Sequence, residues 1–63
     1  MSATWKGWYP VPLMPLGDAL REARRVAALD HPDTPESAMM TPQYRTTRFG
    51  VRVFVIGKPE ASK

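Results

Sequence analysis

Sixty-three residues with no cysteine make one small domain that has no disulfide, thiolate metal site or cysteine nucleophile to draw on. A chain this short buries only about 60% of the surface its unfolded form exposes, so its stability is marginal and help from a partner is expected. The net charge of +3 and the pI of about 9.8 suit nucleic acid or an acidic protein surface, and fall well short of a histone-like tail.

Residues 1–63 read as a single domain with flexible tails at 1–3 and 58–63. The segment Met1 to Lys6 lacks the apolar core of a signal peptide. No apolar run approaches the roughly 20 residues that span a bilayer. The expectation is a cytoplasmic chain with no membrane contact.

Thr4 to Pro12 reads T-W-K-G-W-Y-P-V-P. If extended, it places Trp5, Tyr9 and Val11 on one face. Pro10 and Pro12 lack N–H groups along one edge, so the segment is a short edge strand or a polyproline II arm across the core. Two tryptophans and a tyrosine are a large apolar resource for so small a chain. They serve either as a roof on the core or as a partner anchor built from Trp5, Trp8 and Tyr9.

Leu13 to Leu29 carries helical periodicity. Leu16, Ala19, Leu20, Ala23, Val26 and Ala27 form one stripe, the mark of an amphipathic helix. Its alanines allow close approach to a neighbour. Pro15 suits the first turn, and Asp18 suits the positive end of the helix dipole. Asp18 with Arg21, and Glu22 with Arg25, are spaced for weak local pairs. His31 precedes Pro32, which disfavours helix there.

Asp30 to Gln43 reads as an irregular connector, with at most one or two helical turns over Pro35 to Met40. Tyr44 to Ile56 then reads as one long strand. Thr47, Phe49, Val51, Val53 and Val55 form its apolar face. Tyr44, Thr46, Arg48, Gly50, Arg52, Phe54 and Ile56 form a mixed one. Thirteen residues are long for a strand, so a bend or bulge is expected at Gly50, where the absent side chain also lets another backbone approach.

Catalysis is not expected. The one histidine, in Asp30-His31-Pro32-Asp33, meets no metal-ligand spacing. The carboxylates show no acid–base pairing, and no phosphate loop or nucleophile elbow is present. So small a domain has little room for a pocket of about 300 Å³ or more. No catalytic residue, metal or cofactor is assigned.

The basic residues say more. Arg45, Arg48 and Arg52, with Tyr44 and Phe54 interleaved, combine phosphate-binding guanidinium groups with rings on which bases stack. The same face could meet carboxylates on a protein.

The expected fold is α+β. One amphipathic helix packs on an antiparallel sheet of two strands, the N-terminal arm and the long C-terminal strand. The free edge of that long strand is to be completed by another chain, either a second copy or a partner. The expected function is a small non-enzymatic protein-binding module. It is an inhibitor or accessory subunit, of the type phages and plasmids encode, docking on a larger macromolecular complex through Trp5, Trp8, Tyr9, Tyr44, Arg45, Arg48, Arg52 and Phe54. The alternative is a nucleic-acid-binding regulator, acting as a dimer through its basic and aromatic strand face.

Overall fold

The computed structural model describes residues 3–59. The expected tails fall mostly outside that range. Ala3, Lys58 and Pro59 belong to no regular element. The chain runs as strand β1 (Trp5–Val11), helix α1 (Leu16–Asp30), a 3-10 turn (Glu36–Ala38), strand β2 (Met39–Thr47) and strand β3 (Gly50–Gly57). It is a small α+β domain, one helix packed on an antiparallel sheet.

That sheet has three strands in the order β1-β3-β2, each flanking strand antiparallel to β3. The segment Tyr44 to Ile56 is therefore a hairpin and not one long strand. The chain reverses at Arg48-Phe49. Both turn residues keep negative φ, so the primed turn usual in two-residue hairpins is absent. Gly50 absorbs the reversal instead, at φ 148°. A side chain there would overlap the backbone carbonyl oxygen of Val11. Another backbone does come close to Gly50, and it is the chain's own. The Thr47 hydroxyl closes the turn, donating to the Gly50 carbonyl at 3.0 Å and accepting from the Phe49 amide at 3.2 Å.

The second half of the supposed connector is strand as well. β2 begins at Met39 and passes through Pro42 by an extra residue, since Met40 pairs with Ile56 and Gln43 with Phe54. A proline without a ladder donor is tolerated there because β2 is an edge and the register shifts at that point. β1, the opposite edge, carries Pro10. The free edge expected on the long strand is not found, because β3 is central and paired on both sides.

The helix covers one face of the sheet. Ala19, Ala23 and Ala27 are fully buried against Val53 and Val55, with Val11, Val51 and Met39 completing the core. The alanines of the predicted stripe are the residues that sink deepest. Leu16 stays 43% exposed, and Leu20 and Val26 are half-buried. Phe49, expected in the apolar row, sits at the hairpin tip, 89% exposed. No helix among the described residues is long and apolar enough to cross a membrane.

Candidate binding face on the open side of the sheet

Strand alternation splits the N-terminal aromatics between the two faces. Trp5 and Tyr9 lie on the helix side and pack against the core. The Trp5 ring lies over Gly57, where any side chain would overlap it, and stacks on His31 with centroids 3.7 Å apart and planes at 8°. Its indole N–H donates to the hydroxyl of fully buried Thr34 at 2.9 Å. Thr34 makes no cap to the 3-10 turn that follows and satisfies this indole.

The Tyr9 hydroxyl donates to Asp30 Oδ2 at 2.9 Å and meets His31 Nε2 at 3.1 Å. Desolvation, joined by the hydrogen bond to Asp30 and its charge, pushes the Tyr9 phenol up to about 12. These groups tie the start of β1 to the end of α1. Trp5 and Tyr9 thus pack against the core, and His31 is stacked into the fold.

Among the described residues, no helix covers the other face of the sheet. Residues directly opposite across antiparallel strands share a face, so the register lays this face out in rungs. Lys6, Ile56 and Met40 form one rung; Trp8, Phe54 and Gln43 the next; Pro10, Arg52 and Arg45 the third. Successive rungs lie about 7 Å apart, two residues along β1 and β3, with the bulge in β2 adding a third between Met40 and Gln43. Trp8 and Phe54 touch, with ring centroids 5.1 Å apart and planes at 51°. Trp8 is 41% exposed. A shallow depression of about 280 Å³ is lined by Trp8, Arg45 and Arg52. A larger one, about 480 Å³, lies by the hairpin tip among Pro10, Arg48, Phe49 and Arg52. Both open to the surface, and the larger one also reaches the core residues Val11 and Val51 at the end of the sheet.

The candidate residues are thus partly brought together. Trp8, Arg45, Arg52 and Phe54 form one surface. Arg48 stands at the turn beside it. Tyr44 does not join them. Pairing with Val53 places it on the helix-side face, where it stays 52% exposed. The expectation of Tyr44 beside Arg48, Arg52 and Phe54 treated 44–56 as one strand, and the hairpin inverts that parity. The sequence reading missed Lys6, Met40, Gln43 and Ile56. Parity with Trp8 and Phe54 gives Lys6 and Ile56. Met40 and Gln43 carry no such signal, because the bulge between them breaks the alternation.

Charge is sorted between the two sides. The three strands contain no Asp or Glu, and they carry Lys6, Arg45 and Arg52, all exposed. The described carboxylates lie on the helix and in the loops. There Asp18 pairs with Arg21 at 3.5 Å and Glu22 with Arg25. The hydrogen bonds that Arg25 donates hold the Glu22 carboxyl below its ordinary range and raise the Arg25 guanidinium. Among the described residues, neither Arg45 nor Arg52 has an ion-pair partner. They face each other across the β2–β3 ladder, a like-charge placement that costs stability.

No protein-family model, curated protein or solved structure matches this chain.

Proposed function

We propose that this chain is a small non-enzymatic binding module, an accessory or inhibitory subunit that docks on a larger protein or nucleoprotein complex through the open face of its sheet. One observation carries the reading. Trp8 and Phe54 lie side by side on a face without a helix, next to two arginines that have no counter-charge among the described residues. Large rings and arginine are the residue types that dominate binding energy at interfaces. A like-charged pair held in register is a cost to the isolated fold that an anionic partner removes. A second copy packed face to face would add only cations to this face, since the strands carry no Asp or Glu, so an anionic partner suits it better. A cytoplasmic setting, and the phage- or plasmid-encoded type, belong to the same reading.

The experiment is a tagged pull-down from host lysate, with and without nuclease, comparing the wild type with Trp8→Ala and Arg45→Ala/Arg52→Ala. Capture of a stoichiometric component that both variants lose, while both keep the wild-type circular dichroism, supports the reading. Capture unchanged in both variants places the docking surface elsewhere and refutes it.

A further inference from the structure

We infer that the occupant of this face is single-stranded nucleic acid, with a base stacked at Trp8 and Phe54 and its phosphates held by Arg45 and Arg52. The inference rests on the proposal that the open face is the docking surface, and adds the chemical class of what docks there.

The arrangement of rungs is the argument. The aromatic rung and the arginine rung are neighbours, about 7 Å apart along the strands. The depression lined by Trp8, Arg45 and Arg52 joins them into one surface. A single strand presents flat, unpaired bases beside a line of phosphates, and such strands are held by ring stacking next to a basic track. Gln43 stands opposite Phe54 on the aromatic rung, where an amide can meet a base edge. Lys6 extends the cationic track past the aromatics on the other side.

An acidic protein surface would use the arginines but gives the stacked rings no specific partner. A duplex hides the faces of its bases, and a three-stranded face offers neither a helix nor a two-stranded ribbon to enter a groove. The absence of Asp and Glu from all three strands means that nothing in the sheet repels a phosphate backbone.

The test is fluorescence anisotropy with end-labelled single-stranded DNA and RNA homopolymers and with a duplex, titrated at several salt concentrations, together with quenching of tryptophan emission. Three cations neutralising phosphates on a single strand give a slope of log K against log salt of about −2, at about −0.7 per phosphate. Binding should therefore weaken about 16-fold between 50 and 200 mM salt. Arg45→Ala/Arg52→Ala should bring the slope to about −0.7. Trp8→Ala should weaken binding at least about fivefold, the lower limit for one stacked base. Arg21→Ala/Arg25→Ala removes the same charge from the helix side and should leave both values near those of the wild type.

Equal weakening by the two arginine double variants would mean that net charge alone attracts the strand, and would overturn the inference. So would duplex binding as tight as single-strand binding. If no oligonucleotide binds at 50 mM salt but a protein partner is captured and lost with Trp8→Ala, the inference falls and the docking proposal stands. If the lysate component is captured equally by the sheet-face variants, both fall.

Discussion

Trp5 and Trp8 are three residues apart and belong to opposite faces of β1, so truncating each should have opposite consequences for folding and binding. Trp5 stacks on His31, lies on Gly57 and gives its N–H to buried Thr34. Replacing a core tryptophan by alanine costs about 3–5 kcal/mol, and the half-buried position of Trp5 puts its loss near the lower end. Trp8, 41% exposed, loses its pairing with Phe54, about 1 kcal/mol, on top of the smaller area it buries. A domain of 63 residues has only about 3–9 kcal/mol in total, at roughly 0.05–0.15 kcal/mol per residue. Trp5→Ala should therefore bring the fold close to its limit, while Trp8→Ala keeps it.

At about 4–8 °C per kcal/mol for a domain of this size, Trp5→Ala should melt below Trp8→Ala by up to about 8–16 °C. Thermal and urea unfolding followed by circular dichroism read this directly. Binding should show the reverse order, with Trp8→Ala folded and deficient. A Trp8→Ala variant destabilised as much as Trp5→Ala would mean that the open face is part of the core, and the division of the aromatics proposed above would be wrong.

Gly50→Ala forces an alanine into the left-handed half of φ space and against the Val11 carbonyl, so it should cost about 2 kcal/mol or more. Gly17→Ala, in open space on the helix, should leave urea stability unchanged or raise it by up to about 1 kcal/mol. The Tyr9 phenol is pushed up to about 12, so the folded state holds this proton more tightly than the unfolded chain. The corresponding stability is complete below about pH 10, where the unfolded phenol titrates, and is lost as pH rises toward 12. Urea unfolding across that window should show a loss in the wild type that is smaller in Tyr9→Phe, and absorbance near 295 nm should show one phenol ionising late. Arg45→Thr relieves the like charge opposite Arg52 and places a better strand former on the edge. It should raise urea stability by a few tenths of a kcal/mol at low salt, and the gain should shrink as salt screens the pair.

Much of this fold was legible because it is encoded within single elements. The repeat of alanines at helical spacing marks the face of α1 that reaches the sheet, and Ala19, Ala23 and Ala27 are the residues buried to completion. Alternation alone puts Trp5, Tyr9 and Val11 together, and makes Val51, Val53 and Val55 the buried row of β3. The hairpin was hidden for a definite reason. The apolar alternation of Val51, Val53 and Val55 continues backward through Phe49 and Thr47, so the turn sits inside an unbroken pattern. Its residues, Arg48 and Phe49, carry none of the Asn or Gly preference that marks a tight reversal.

The third strand was hidden because Thr41-Pro42 looks like a stop, and only pairing with β3 on one side lets an edge strand carry a proline through a bulge. The sequence by itself determined the helix, its buried stripe and the inward face of the central strand, since each depends on periodicity over neighbouring residues. Only the tertiary structure decided which side chains became neighbours on the open face. Bringing Trp8 beside Phe54 and Arg45 opposite Arg52 requires the register between strands that are distant in the chain or reversed on themselves, and register is fixed by packing the whole sheet against α1.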